Sequence, residues 1–227
     1  MGYFTDLQAD DGFSFRGYVA EPLVNPIGGL VLLQEIFGVN DHIRSVADSY
    51  AAEGYLVVAP ATFHRVKEAV ELGYSEDDMK EGMGYKAAVE ALPAPGVLRD
   101  IQAAIEHAAE GGNVGILGYC WGGLLTWRAA CTLDGLSAAV PYYGGGMTSE
   151  AEMAREPRVP VMAHFADHDG YISMDSIRAF QAAQTGVEVH IYAGHHGFNC
   201  DQRGAYNAEA AQLARQRTSA FLAKHLA

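Results

Sequence analysis

Apolar residues along this chain fall into two alternating patterns. Gly29-Leu30-Val31-Leu32-Leu33-Gln34, Tyr55-Leu56-Val57-Val58-Ala59-Pro60 and Asn113-Val114-Gly115-Ile116-Leu117 are short apolar runs without a polar face. Such runs suit strands buried on both sides of a sheet. Ser137 to Tyr143, Pro160 to Phe165 and Val187 to Tyr192 extend the series. Between the runs the spacing turns helical. Asn40 or Asp41 opens a helix to Glu53, which Gly54 ends. Ser75, followed by Glu76, Asp77 and Asp78, caps a helix towards Glu90 that Pro93 and Pro95 break. Val97, Ile101, Ala104, Ile105 and Ala108 give one face of a helix over Gly96 to Glu110. Leu124 to Ala130, Ser173 to Gln184 and Ala205 to Leu226 complete the set. Phe13 to Ala20 alternates with period two, as an antiparallel edge strand does. Strands alternating with helices predict an α/β protein with a mostly parallel central sheet and helices on both faces. No repeat, low-complexity tract or linker interrupts the pattern, so residues 1–227 read as one domain. Residues 61–95 are the least regular, and the pattern leaves open whether they form a lid or a fixed wall.

Composition narrows the function. The 227 residues are 49% hydrophobic, enough for a sizeable core, and carry a net charge of −13. That charge argues against nucleic acid or an anionic membrane surface as partner, while a local site can still be positive. No apolar run is long enough to span a bilayer. Met1 to Asp6 lacks a basic segment followed by an apolar one, so a cytoplasmic location is expected. The three cysteines, Cys120, Cys131 and Cys200, are odd in number and lack metal-ligand spacing. Free thiols, no metal, no cofactor and a monomeric chain are the expectations.

One stretch concentrates the candidate chemistry. Gly118-Tyr119-Cys120-Trp121-Gly122-Gly123 joins a buried strand to a helix, with glycines two residues either side of Cys120. This is the nucleophile-elbow spacing, with cysteine in place of serine. The turn requires a strained backbone at the nucleophile and glycine-sized neighbours where strand and helix approach. The helix N-terminus favours a thiolate and offers N–H groups to an oxyanion. Trp121 and Ile36 are the expected backbone donors. In doubly wound sheets ligands bind beyond the carboxyl ends of the strands. That rule places Glu35, Cys120, Asp169 and His196 together, because each follows a predicted strand. The order nucleophile, acid, histidine is that of α/β-hydrolases. Cys120 is then the nucleophile, His196 the base and later the acid, and Asp169 the group that orients the imidazole.

Rivals lie close by. His195 adjoins His196, and Asp167, two residues from Asp169, can instead cap the following turn. His164 and His168 beside these aspartates offer metal-binding atoms, but no zinc-type spacing accompanies them. Cys131 falls on the core side of the elbow helix. Cys200, near the histidine loop, is at a position that surface exposure would suit. Trp121 reads as pocket wall and Trp127 as helix packing.

Gln34-Glu35-Ile36-Phe37-Gly38-Val39-Asn40, the G-Y-C-x-G-G elbow, the Asp169 loop and the His196-Gly197-Phe198 turn together resemble the dienelactone hydrolase family of cysteine α/β-hydrolases. The resemblance runs from about residue 12 to 226. It implies the α/β-hydrolase fold and a Cys120-Asp169-His196 triad. It also implies that Glu35 lies beside the resting thiol and takes part in its switching to thiolate. The implied reaction opens a cyclic enol-ester lactone carrying a carboxylate, giving maleylacetate in chloroaromatic breakdown. Tyr85, Trp121, Tyr143, Phe37 and Arg203 are the expected substrate-binding residues. Two arginines that hold the substrate carboxylate in the family are unmatched: Glu81 and Cys200 stand in their places. Arg203 and Lys80 are the candidate substitutes, although a point charge does not replace a bidentate fork. Alternatives are a broad carboxylesterase of the same fold or a thiol redox protein. The latter lacks a second cysteine at C-x-x-C spacing. An inactive binding scaffold fits poorly with an intact triad.

Overall fold

The apolar runs assemble into one sheet in a computed structural model, which describes residues 2–227. Its strands are β1 (Tyr3–Gln8), β2 (Ser14–Ala20), β3 (Gly28–Leu33), β4 (Tyr55–Pro60), β5 (Val114–Tyr119), β6 (Leu136–Tyr142), β7 (Met162–Ala166) and β8 (Glu188–Tyr192). The eight strands lie in the order β1-β2-β4-β3-β5-β6-β7-β8. β1 and β2 are antiparallel to their neighbours, and the rest of the sheet is parallel. β3, β4 and β5 are buried at every position, as their uninterrupted apolar runs require.

The helices are α1 (Asp41–Ala52), α2 (Glu76–Glu90), α3 (Leu98–Ala108), α4 (Trp121–Thr132), the single turn α5 (Glu150–Met153), α6 (Met174–Ala183) and α7 (Ala208–Leu226). Their ends follow from local chemistry. The Asn40 side chain accepts from the Ile43 N–H, and Gly54 beyond α1 takes φ 107, open chiefly to glycine. Ser75 and Asp78 form a reciprocal capping box at the start of α2.

Three expectations change. Phe13 to Ala20 is antiparallel but is not the edge, because β1 pairs along its outer side from Tyr3↔Val19 to Gln8↔Ser14. β1 shows no clean polar–apolar alternation, with a single buried position at Leu7, so periodicity does not reveal it. α7 begins at Ala208 rather than Ala205. Asn207 caps it by accepting from the Ala210 N–H, while Tyr206 is held in the preceding turn by a bond to the Arg203 carbonyl. The Gly96 helix shortens to α3 and ends in a single 3-10 turn over Ala109–Gly111. Among the described residues no helix is long and apolar enough to cross a membrane.

Candidate active site

The parallel strands β3, β5, β7 and β8 end on one side of the sheet, and Glu35, Cys120, Asp169 and His196 follow them there. Cys120 sits between β5 and α4 with φ 57 and ψ −117, a conformation an L residue rarely adopts. Such a backbone costs on the order of 1–3 kcal/mol and persists only where its surroundings over-determine it. Those surroundings are close packed. The Cys120 N–H donates to the Tyr142 carbonyl at 3.0 Å, and its own carbonyl accepts from Gly123 at 3.0 Å. A Cβ at Gly118 would stand 2.4 Å from the Gly122 carbonyl oxygen. One at Gly122 would stand 2.4 Å from that of Gln34. Both glycines are therefore dictated by strand-to-helix approach.

Asp169 is fixed before it meets a partner. Its Oδ1 accepts from the N–H groups of Tyr171 at 2.8 Å and Ile172 at 3.2 Å. Its Oδ2 lies 2.8 Å from His196 Nδ1, which leaves Nε2 for the elbow. Burial pushes the His196 imidazole down, but the charges of Cys120 and Asp169 and its hydrogen bonds to both outweigh burial and lift it to about 10. The edges of Tyr143 and Tyr171 flank the ring at 5.2 and 4.9 Å.

The rivals have other partners. Asp167 Oδ1 accepts from the Gly194 N–H at 3.0 Å and contacts His168 Nδ1 at 2.6 Å, tying the β7 and β8 loops together. His195 bonds the His168 carbonyl and is exposed. His164 is wholly buried between the hydroxyls of Tyr192 and Thr218, and burial holds it well below the usual imidazole range. Cys131 is buried on α4, and burial pushes its thiol up to about 11. Cys200, expected at the surface, is instead 0% exposed. Trp127 is buried with its indole N–H on the Glu152 carbonyl.

Glu35 has a partner that the resemblance does not specify. Its carboxylate is not hydrogen-bonded to the thiol but accepts from Arg203 Nη1 at 3.1 Å, while Oε2 is buried without a partner. A guanidinium offers a charge-assisted bond that a thiol does not match. Gly197 gives Arg203 its path: at φ 84, a Cβ there would lie 2.5 Å from Nη1.

A cavity of about 350 Å³ opens over Cys120. Ile36, Phe37, Trp121, His196 and Arg203 line it, together with Tyr171 and Gly145-Gly146. α2 contributes Met79, Met83 and Lys86, three residues at helical spacing on one face. Tyr85 and Tyr143 are not in this lining. Tyr85 turns to the Glu81 carboxylate and the Phe63 ring, and Tyr143 is fully buried beneath His196. Lys80 is exposed and outside the lining; Lys86, six residues on, is the α2 cation that faces the cavity. The Met79-Met83-Lys86 spacing was the signal for it. The C-terminal end of α2 is fastened to the elbow helix, since Glu90 accepts from Trp121 Nε1 at 2.8 Å and pairs with Arg128 at 3.1 Å. α2 is thus tied to α4 at its last residue.

Comparison with known proteins agrees with this architecture. The sequence profile of the Dienelactone hydrolase family matches residues 15–226. The carboxymethylenebutenolidase of Pseudomonas putida is 31% identical, covering 96% of this chain and 94% of its own. A Synechocystis protein provisionally named carboxymethylenebutenolidase is 34% identical, covering 92% and 91%. A crystal structure from Klebsiella pneumoniae, provisionally assigned as a dienelactone hydrolase, superposes with a TM-score of 0.81 at 29% identity, covering 99% of each chain.

Proposed function

Because the chain belongs to the dienelactone hydrolase family of ester and lactone hydrolases, we propose that it cleaves a small activated ester or lactone through a thioester on Cys120. The observation that carries this reading is the placement of His196 between Asp169 and Cys120 at the base of a cavity. The Cys120 thiolate attacks the acyl carbon, and the N–H groups of Ile36 and Trp121 receive the oxyanion. Collapse breaks the acyl C–O bond, and the leaving oxygen takes the proton of the His196 imidazolium. Water then attacks the thioester, gives its proton to His196, and the thiolate departs with the acid released. Loss of one oxyanion donor typically costs about 2.7–4 kcal/mol of transition-state stabilisation. Asp169, already holding two backbone N–H groups, keeps the imidazole turned towards the sulfur.

An enol-ester lactone of the dienelactone type fits the leaving-group demand of a thiolate nucleophile, since a poorly activated tetrahedral intermediate expels the thiolate instead. Two cations border the cavity, Arg203 and Lys86. Glu35 already occupies Arg203, so Lys86, which feels the Glu90 carboxylate one turn on, supplies the positive charge for a substrate carboxylate. A carboxylate that also competes for Arg203 releases Glu35 towards the sulfur. A broad carboxylesterase is the second reading, favoured by the methionine-rich wall of α2, because flexible thioethers adapt to varied acyl groups.

Steady-state hydrolysis of cis- and trans-dienelactone beside p-nitrophenyl acetate, with Cys120→Ala as control, separates the readings. A Cys120-dependent preference for a dienelactone is expected. Cys120-dependent turnover of the acetate alone discards the lactone and keeps the mechanism. Undiminished turnover in Cys120→Ala removes the mechanism.

A further inference from the structure

Outside the hydrolytic cavity, three side chains bring metal-binding atoms together. A ring nitrogen of His42, the sulfur of Cys200 and a carboxylate oxygen of Asp201 all lie within 4.8 Å of one another. His42 is in the first turn of α1, and the other two follow β8, so no sequence spacing announces the group. His42 Nδ1 stands 3.0 Å from Asp201 Oδ1, with side-chain exposures of 5% and 65%. Cys200 is fully buried.

A cavity of about 310 Å³ adjoins the group, lined in part by His42, Asn199, Asp201 and Tyr206. It shares no lining residue with the cavity over Cys120.

One nitrogen, one sulfur and one carboxylate oxygen form the donor set of a borderline-soft ion. Calcium and magnesium prefer oxygen alone. We propose that His42, Cys200 and Asp201 bind a divalent cation of the zinc class, with a fourth coordination position open to this second cavity. The His42–Asp201 hydrogen bond gives way to two metal–ligand bonds, and the Cys200 S–H bond to a metal–sulfur bond, its proton passing to water. Zinc bonds of about 2.0–2.3 Å require the three atoms to draw together. His42 and Asp201 already stand 3.0 Å apart, so the approach that remains is to the Cys200 sulfur.

The test is a Co²⁺ titration of Cys120→Ala, a background that removes the other thiol facing a histidine and an aspartate. One equivalent of Co²⁺ is expected to give a thiolate-to-cobalt charge-transfer band with the strong visible bands of four-coordinate cobalt. Adding Cys200→Ser abolishes the band, and adding Cys131→Ser leaves it. Asp201→Asn, at the exposed rim, lowers Co²⁺ affinity at least tenfold with an unchanged circular dichroism spectrum. Absence of the band, or its survival in Cys200→Ser, overturns the site. Should Cys200→Ser fail to fold, equal affinity in Asp201→Asn and its parent overturns it.

Discussion

Glu35 and Arg203, 168 positions apart in the chain, form an ion pair with Nη1 3.1 Å from Oε1. The glutamate side chain is 2% exposed and the arginine 16%. The guanidinium also lies over the Phe37 ring at 5.6 Å, so it is anchored by packing as well as charge. Removing either partner leaves the other charge uncompensated, and the deeper charge suffers more. Arg203→Met is therefore expected to lower stability by about 3–5 kcal/mol, and Glu35→Gln by less. Urea unfolding of both variants and the double variant checks the order. An equal or reversed ranking shows that the pair is not limited by burial of the carboxylate.

The same pair bears on thiol reactivity. If Glu35 exchanges between Arg203 and Cys120, Glu35→Gln changes the pH profile of iodoacetamide alkylation at Cys120. An unchanged profile removes Glu35 from the switching of the thiol.

His196 is raised in the folded protein from the ordinary 6.5 to about 10. A group raised on folding contributes stability that is fully present below its unfolded value and lost as pH rises through its folded value. The stability difference between the parent and His196→Gln should thus be largest below about pH 6.5 and shrink as pH approaches 10. Denaturation midpoints of both proteins across that window test the sign. A difference that grows with pH contradicts the charged imidazole.

Glu90 fastens the α2 wall to Trp121 and Arg128 at once. Glu90→Ala leaves the buried Trp121 indole N–H without an acceptor, a loss of about 1–3 kcal/mol. Glu90→Gln keeps an acceptor and should recover most of that stability while losing the charge on Arg128. If both variants are equally destabilised, the ion pair rather than the indole bond holds the wall.

Lys86→Met is expected to raise KM for a carboxylate-bearing ester by about tenfold, the equivalent of losing one partly buried charge contact of about 1.4 kcal/mol. KM for p-nitrophenyl acetate and kcat for both substrates should stay near the parent values. An equal change for the neutral ester assigns Lys86 to packing.

Gly122→Ala tests the elbow itself. Its methyl group would meet main-chain oxygens of Leu33 and Gln34 at 2.5 and 2.4 Å, atoms that cannot rotate away. A stability loss of at least about 1–3 kcal/mol and loss of ester turnover are expected. Thermal unfolding and p-nitrophenyl acetate hydrolysis measure both, and an unperturbed variant refutes the close approach.

The sequence by itself determined the layered fold and the common side of the sheet on which Glu35, Cys120, Asp169 and His196 lie. Uninterrupted apolar runs such as Leu30 to Leu33 and Tyr55 to Ala59 admit only buried strands in this pattern, and parallel strands end on one side of the sheet. Glycines flanking Cys120 disclosed the elbow because close approach is a local demand. Only the tertiary structure decided which charges meet. Arg203 reaches Glu35 from a turn whose path depends on Gly197, and no register relative to His196 reveals that. Tyr85 and Tyr143 sit near the site in sequence terms yet face away or beneath it, while Lys86 faces in. His42 meets Cys200 and Asp201 for the same reason. Periodicity records how each segment buries its own apolar face. Contacts between loops depend on how those segments pack, and no single segment encodes them.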